Sequence, residues 1–203
     1  MTLRLCLASQ SPRRAELLRQ AGYVFEVCQP KVDETIQTDE SPAEMVRRLS
    51  LLKARTARDL SRDTTGVSWV FLGADTTVVL DREVMEKPED QAHARQMLSR
   101  LSGRTHQVVT AVSVISESFE ASSVVVSAVT FRPLADRMIQ DYCASGEPLD
   151  KAGAYAIQGR AGLFVERLEG SYSGVVGLPL CETAELLDRA GIVPAWRAEH
   201  ANS

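Results

Sequence analysis

Two arginines occupy the first turn of a predicted helix close to the start of the chain. The opening segment LRLCLAS has the apolar character of a short buried strand and runs directly into SPRRAELLRQAG, where Pro12 suits the first helical position. Arg13 and Arg14 then lie where unpaired N–H groups and the helix dipole are already positive, which is unfavourable by about a few tenths of a kcal/mol per cation. A docked anion would reverse this, since the hydroxyls of Ser9 and Ser11 and both guanidinium groups would converge on phosphate oxygens. Two solvated arginines are an equal alternative on this motif alone.

A carboxylate follows the most apolar strand of the sequence. The continuous apolar run Trp69–Ala74 is typical of a central strand buried on both faces, and Asp75 is predicted to end that strand. Ligands of α/β proteins bind beyond the carboxyl ends of strands, so a carboxylate at this position is well placed for chemistry. The alternative is a turn aspartate that accepts hydrogen bonds from the amides of Thr76 and Thr77.

Other charged residues become informative in combination. Lys53 lies near the apolar face of a helix that opens with a Ser41/Glu44 capping box, Lys87 precedes a proline, and Asp33-Glu34 lies in a polar loop. Taken singly, each of these is more often an ordinary surface residue. Carboxylates, lysines and paired arginines around one strand end are nevertheless the set that phosphoryl or nucleotidyl transfer needs. Carboxylates hold a divalent cation and orient water, while basic groups neutralise charge that develops on phosphate oxygens.

Composition and missing motifs exclude several classes of protein. The 203 residues include 27 acidic and 23 basic side chains, a net charge of −4, which argues against a nucleic-acid partner. The P-loop, the GxGxxG fingerprint and the GxSxG elbow are absent. The four cysteines show no CxxC spacing and the three histidines form no ligand cluster, so we expect reduced thiols, a cytoplasmic location and no zinc site. No apolar run approaches the ~20 residues of a membrane span, and the first residues do not resemble a signal peptide.

The order of predicted elements indicates an α/β fold with a mixed β-sheet flanked by helices. Strand–helix alternation is combined with hairpin signals at Asp81-Arg82 and between the β-rich runs THQVVTAVSVIS and SSVVVSAVTFRPL. Later helices are expected at 41–60, from Asp90 to Gly103, at 136–145 and over LPLCETAELLDRAG. SRDTTGVS is predicted to be an exposed loop, and 150–177 is interrupted too often for long regular elements. We expect one domain over 1–192 and a C-terminal tail over 193–203.

The order of these residues resembles that of the Maf nucleotide pyrophosphatases. The resemblance extends from about Leu5 to Ile192, nearly the whole chain, and it rests on nine ordered motifs. These are Ser9-x-Ser11-Pro12-Arg13-Arg14, Val32-Asp33-Glu34, Lys53-Ala54, Gly73-Ala74-Asp75-Thr76, Glu86-Lys87-Pro88, Leu101-Ser102-Gly103, Asp150-Lys151-Ala152-Gly153-Ala154-Tyr155, Ile157-Gln158-Gly159 and Gly177-Leu178-Pro179. The resemblance implies a Maf/ITPase-like fold with two lobes around a nucleotide-binding cleft.

The resemblance also implies an activity. Maf proteins cleave the α–β bond of nucleoside triphosphates with a divalent cation, Mg²⁺ or Mn²⁺ here, and release a monophosphate and pyrophosphate. Asp75 would be the proton acceptor that activates water, and Asp75 with Glu34 would hold the metal. The phosphate-binding residues would be Ser9, Arg14, Lys53 and Lys87.

Three positions separate the subfamilies, and here they carry Arg13, Thr76 and Gln158. This set resembles the branch that acts on dTTP and UTP, with modified pyrimidine nucleotides as further candidate substrates. The branch that acts on 7-methyl-GTP carries Trp in place of the first arginine. The amide of Gln158 is both donor and acceptor, which suits the edge of a pyrimidine.

An alternative function is a nucleotide-binding regulator of septum formation that acts through protein contacts, because family members have been linked with inhibition of septum formation. Asp75 together with Lys53 and Lys87 favours catalysis, since a sensor needs no carboxylate that activates water. The resemblance further implies a homodimer, and a role in cell-division arrest or in keeping modified nucleotides from being incorporated. Neither a nucleic acid nor a membrane is an expected partner.

Overall fold

Seven strands and seven helices make up the part of the chain described by a computed structural model, residues 3–61 and 67–198. The strands are β1 (Leu3–Ala8), β2 (Glu26–Cys28), β3 (Ser68–Leu80), β4 (Glu83–Met85), β5 (Thr105–Ile115), β6 (Glu120–Phe131) and β7 (Val165–Glu169). The helices are α1 (Pro12–Gln20), α2 (Pro42–Leu60), α3 (Gln91–Leu101), α4 (Asp136–Ala144), α5 (Tyr172–Val176), α6 (Leu180–Arg189) and α7 (Ala195–Ala198).

The strands form one mixed sheet, as predicted. Their order is β2-β1-β3-β5-β6-β7, and β4 pairs with β3 outside this path. β1 lies parallel to both β2 and β3, whereas β4 is antiparallel to β3 and β7 is antiparallel to β6. The combination of parallel strands, hairpins and flanking helices confirms the predicted α/β class.

One prediction about β3 is wrong. Asp75 does not end this strand, because β3 continues for 13 residues from Ser68 to Leu80. The residues after Asp75 are TTVVL, whose β-branched side chains favour extended backbone, and no glycine or proline interrupts them. The turn comes only at Asp81 and Arg82, which adopt φ values of 52° and 70° as a two-residue hairpin requires.

The chain divides into two compact units. Unit 1 comprises Met1–Asp75, Thr110–Val124 and Gly177–Ser203, and unit 2 comprises Thr76–Val109 and Val125–Val176. The divisions fall within β3, β5 and β6, and the division in β3 is the peptide bond between Asp75 and Thr76.

The interior of unit 1 follows from the two-residue period of its strands. Alternate residues of β1 enter different apolar clusters, Leu5 and Leu7 in one and Cys6 and Ala8 in the other. The first cluster includes Leu18 of α1 and two leucines of α6, and the second includes two alanines of α2. Both faces of β1 are therefore covered by helices.

The helix ends of unit 1 obey local rules. Ser11 caps α1 ahead of Pro12, and Gly22 follows the helix with φ +85°. Ser41 and Glu44 form the reciprocal capping box, and α2 reaches Leu60 as predicted. Most of the predicted loop SRDTTGVS, residues 62–66, lies outside the described residues.

Unit 2 has its own apolar core. One cluster joins α3 and α4 to the strands, and its aromatic members Phe131, Tyr142, Tyr155 and Phe164 form edge-to-face contacts. His106 packs edge to face on Phe131 and Tyr155. Between 147 and 177 the chain forms three 3₁₀ turns, the short strand β7 and the five-residue α5. These described elements are all short, as predicted. β7 itself has little apolar alternation, which is why its sequence, VERLE, did not predict a strand.

The last described residues pack against α1. The Ala195 N–H donates to the carbonyl of Gly22 at 2.8 Å, and Trp196 Nε1 donates to the carbonyl of Ala21 at 3.1 Å. The limits of a domain over 1–192 and a tail over 193–203 stay predictions. No helix within 3–61 or 67–198 is long and apolar enough to cross a membrane.

Candidate active site

A lysine bridges two carboxylates in unit 1. Lys53 Nζ lies 2.6 Å from Asp75 Oδ1 and 2.7 Å from Glu34 Oε1. The Lys53 and Asp75 side chains are each 12% exposed, whereas Glu34 is 53% exposed. The sequence predicted all three as site residues, and the structure brings them into direct contact although they come from α2, β3 and a loop.

Close packing of α2 on β3 produces this contact. A Cβ on Gly73 would lie 2.1 Å from the backbone oxygen of Ser50 and 2.9 Å from the backbone nitrogen of Ala54. Only glycine permits this approach, because real Cβ atoms essentially never come within 3.0 Å of another heavy atom. Lys53 lies between these helix residues and Asp75 lies two residues after Gly73, so the close approach at Gly73 brings the backbones that carry the ammonium and the carboxylate near each other.

The loop that carries Glu34 is held by its neighbours. Asp33 Oδ1 accepts hydrogen bonds from the Thr35 N–H at 3.0 Å and the Thr35 hydroxyl at 2.6 Å, and these lower the pKa of Asp33. Arg48 donates from Nη2 to the Thr35 carbonyl at 3.1 Å and from Nε to Glu40 at 2.8 Å. Of the doublet Asp33-Glu34, the first residue therefore shapes the loop and the second reaches Lys53.

The turn between β1 and α1 is also held by side-chain hydrogen bonds. Ser9 is buried, and its hydroxyl accepts from the Ser11 N–H at 3.1 Å and from Arg14 Nη1 at 3.3 Å. Arg14 Nε donates to the carbonyl of Gly177 at 2.8 Å. The guanidinium group of Arg14 is thus oriented by the protein, while Arg13 lies half-buried beside it in the first turn of α1.

Parallel pairing places Ser9 and Asp75 close to the carboxyl end of β1. The β1–β3 register ends with Ala8 opposite Gly73, so Ser9 and Asp75 both lie just beyond the last paired residues. α1 begins beside this end of β1, and the positive end of its helix dipole favours an anion there. Burial lowers the pKa of Arg14, and the negative charges of Asp75 and Glu34 oppose that shift. An arginine remains cationic in this setting.

The other predicted site residues belong to unit 2. Thr76 is half-buried in β3, and Lys87 is exposed beside the buried Pro88. Gln158 is exposed in the turn Ile157–Gly159, where the Gly159 N–H donates to the Ala156 carbonyl at 3.0 Å. Each is described within that unit, and their assignments to phosphate binding and base selection stay predictions.

Sequence reasoning missed the residues that hold the site in place. Arg48 and Glu40 fix the Glu34 loop, and nothing in their spacing distinguishes them from surface charges. Ser50 did leave a signal, because it is a polar residue among the buried positions of α2. Its hydroxyl lies 2.6 Å from that of Ser113, which lies 2.8 Å from that of Ser122, so the helix is tied to β5 and β6.

The two carboxylates suit a divalent cation that also binds a nucleotide. Mg²⁺ takes oxygen ligands and is commonly held by one or two carboxylates together with phosphates and water. Asp75 and Glu34 converge on the same lysine nitrogen, so their oxygens are close together. Among the described residues, no group of three His, Cys, Asp or Glu side chains could hold a metal ion. Two carboxylates are a donor set that such a cation accepts when phosphate and water supply its other ligands.

The fold and the site define an α/β protein with two carboxylates, a lysine and the N-terminal end of a helix near the carboxyl end of β1. The chain belongs to the Maf family: the sequence profile of the Maf-like proteins matches residues 4–190.

Three similar proteins carry the name dTTP/UTP pyrophosphatase. The chain is 50% identical over 186 residues to a dTTP/UTP pyrophosphatase of Vibrio parahaemolyticus, covering 92% of this chain and 96% of the relative. It is 52% identical to that of Alkalilimnicola ehrlichii, covering 90% of each chain. It is 50% identical to that of Escherichia coli O157:H7, covering 97% of this chain and 98% of the relative.

Proposed function

We propose that this protein is a nucleoside triphosphate pyrophosphatase that hydrolyses dTTP and UTP to the monophosphate and pyrophosphate. The observation that carries the proposal is the pair of contacts from Lys53 to Asp75 and Glu34, near the carboxyl end of β1 where α1 begins. The choice of dTTP and UTP is supported by relatives of about half identical sequence that are named dTTP/UTP pyrophosphatases. Modified pyrimidine nucleotides belong to the same proposed substrate class.

Asp75 is the proposed general base. Water attacks the α-phosphorus, Asp75 accepts a proton from it, and the bond between the α-phosphorus and the bridging oxygen breaks to release pyrophosphate. Lys53 donates to one carboxylate oxygen of Asp75 and so fixes the direction in which the carboxylate faces. A base held in this way needs little rearrangement when the proton moves.

Basic groups would neutralise the triphosphate. Arg14 is already oriented by Ser9 and Gly177, so binding an anion costs little side-chain entropy. Ser9, Arg14, Lys53 and Lys87 are proposed to bind phosphate, and Arg13, Thr76 and Gln158 to select the base. When bound, Mg²⁺ or Mn²⁺ would stabilise negative charge on the phosphate oxygens, and Asp75 and Glu34 are the residues proposed to hold it.

The proposal is tested by measuring pyrophosphate and orthophosphate separately from a panel of nucleotides with Mg²⁺ or Mn²⁺. The panel contains dTTP, UTP, CTP, dCTP, GTP, 7-methyl-GTP and modified pyrimidine nucleotides. We expect pyrophosphate from dTTP and UTP, and its loss in Asp75→Asn while nucleotide binding persists. Asp59→Asn is the matched control, since Asp59 is exposed and pairs with the neighbouring Arg58 at the surface of α2.

Two other results would point elsewhere. Orthophosphate as the first product would contradict cleavage at the α–β bond. Binding without turnover by the unaltered protein would favour the nucleotide-binding regulator of septum formation instead.

The setting of this activity is part of the proposal. We propose a cytoplasmic enzyme, which its free thiols at Cys6, Cys28, Cys143 and Cys181 support because disulfides are rare in that compartment. We further propose that the enzyme is a homodimer. Its proposed role is in cell-division arrest or in preventing the incorporation of modified nucleotides into nucleic acids.

A further inference from the structure

A glutamate outside the predicted site holds the turn that carries Gln158. Glu147 Oε1 accepts a hydrogen bond from the Tyr142 hydroxyl at 3.0 Å, and Glu147 Oε2 accepts from the Arg160 N–H at 3.3 Å. The Tyr142 hydroxyl in turn accepts from the Ala156 N–H at 3.2 Å. Backbone groups two residues before and two residues after Gln158 are therefore tied to one carboxylate and its tyrosine partner.

The same carboxylate lies directly against the Gly159 backbone. A Cβ on Gly159 would lie 2.4 Å from Glu147 Oε1 and 2.8 Å from Oε2. Because these atoms are the end of a flexible side chain, a methyl group at position 159 would displace the carboxylate from its present place.

The anchor on the other side is rigid. Tyr142 belongs to α4, is 5% exposed and packs edge to face on Phe164 with ring centroids 5.0 Å apart. Burial is the main cause that raises the pKa of its hydroxyl, so the group stays protonated and able to donate to Glu147. Pro148, next to Glu147, is also buried. The Gln158 side chain is exposed and can move, whereas hydrogen bonds hold the backbone of its turn.

We propose that Glu147 is a positioning residue for base selection, which holds the Ile157–Gly159 turn so that the Gln158 amide meets the nucleobase in one orientation. This inference rests on the proposed function, in which Gln158 reads the base. An amide that can turn over presents either its oxygen or its NH₂ group to a given base atom. Uracil and cytosine differ in the acceptor or donor at one edge, so a loosened turn would accept both.

The test compares UTP with CTP in binding and in turnover. Binding is measured with Asp75→Asn protein, so that affinity is read without hydrolysis, and turnover is measured with Asp75 present. On adding Glu147→Ala, we expect the CTP-to-UTP ratio of Kd to fall about tenfold, as one lost hydrogen bond of about 1.4 kcal/mol implies. We expect KM for UTP to rise by the same factor while kcat changes less than about threefold, since uniform binding is what is lost.

Further variants separate positioning from simple stability. Glu147→Gln keeps the shape and one acceptor, and we expect it to restore part of the preference. Gly159→Ala should reproduce the loss by displacing the carboxylate, and the double variant Glu147→Ala/Gly159→Ala should be no worse than Glu147→Ala alone. Glu166→Ala, an exposed glutamate of the same unit, is the control and should keep the wild-type ratio.

The outcomes distinguish the two proposals. An unchanged CTP-to-UTP ratio of Kd in folded Glu147→Ala protein overturns the positioning role, whatever its effect on melting temperature. If Glu147→Ala does not fold, the ratio in Gly159→Ala decides in the same way. Absence of pyrophosphate from the unaltered protein contradicts the proposed function instead, and the Kd ratios still decide the role of Glu147.

Discussion

Lys53 Nζ and Asp75 Oδ1 lie 2.6 Å apart, and the two side chains are almost equally buried. Removing one partner of this pair is destabilising, because it leaves the other charge buried without compensation. The contact joins the middle of α2 to the middle of β3, so the proposed general base is oriented by a helix rather than by a loop.

Replacing Lys53 with Met should abolish most of the activity. The substitution keeps the aliphatic stem but removes the charge that orients Asp75, and we expect kcat for UTP to fall about 10²–10³-fold, as for loss of an electrostatic group in other enzymes. Pyrophosphate release measures it, and Lys31→Met is the exposed control. Wild-type turnover in Lys53→Met would show that the lysine is not needed to orient the base.

Replacing Arg48 with Ala should weaken metal activation. Arg48 holds the backbone of the loop that presents Glu34, and groups that orient metal ligands typically affect metal affinity by about 10–100-fold. We expect the Mg²⁺ concentration for half-maximal turnover to rise by about tenfold in such a case. A titration with Mg²⁺ checks this beside Arg58→Ala, an exposed change on the same helix. The same Mg²⁺ requirement in both variants would contradict the role of Arg48.

Replacing Gly73 with Ala should destabilise the fold. The added methyl would meet backbone atoms of α2, which cannot turn away as a side chain can, and overpacking of this kind costs about 1–3 kcal/mol or more. The midpoint of urea unfolding should fall accordingly. Val24→Ala, at a side chain that is 81% exposed, should leave the midpoint nearly unchanged. An unaltered midpoint in Gly73→Ala would mean that α2 moves away from β3 at no cost.

Stability should decline between neutral and mildly acidic pH because of His106. Burial lowers the pKa of this side chain from 6.5 to about 4. Between these two pH values the histidine is therefore protonated in the unfolded chain and neutral in the folded protein. Its contribution is complete above about pH 6.5 and is lost as pH falls towards about 4, in total about 3 kcal/mol. His106 Nε2 lies 2.8 Å from the Tyr155 hydroxyl, with Phe131 packed on the ring.

The measurement is urea unfolding at pH 7 and at pH 4.5 for the unaltered protein and for His106→Gln. The variant should lose less stability between the two pH values, even if it is less stable at neutral pH. Carboxylates whose folded pKa is lowered contribute in both proteins, so the difference between the two slopes isolates the histidine. Equal slopes would show that protonation of His106 does not oppose folding.

Much of the secondary structure could be predicted because its causes are local. The Ser41/Glu44 capping box, Pro12 at the start of α1 and Gly22 beyond its end are short-range features, and each lies where the sequence indicated. Predictions were weaker where no glycine or proline marks the end of an element. A polar residue after an apolar run predicts the end of a strand at Asp75, but the β-branched residues beyond it keep the backbone extended.

The residue types of the site were evident in the sequence, since carboxylates, lysines and paired arginines in this order point to phosphate chemistry and to one family. Which of them touch was decided only by tertiary structure. Lys53 meets a carboxylate 22 positions away, and Arg14 donates to a carbonyl 163 positions away. That Glu34 and not Asp33 reaches Lys53, and that Arg48 and Glu147 hold loops in place, depends on how helices and strands pack. The sequence determines the chemistry of each group through its residue type. Distances between groups far apart in the chain are set by burial and by the steric fit of the packed elements.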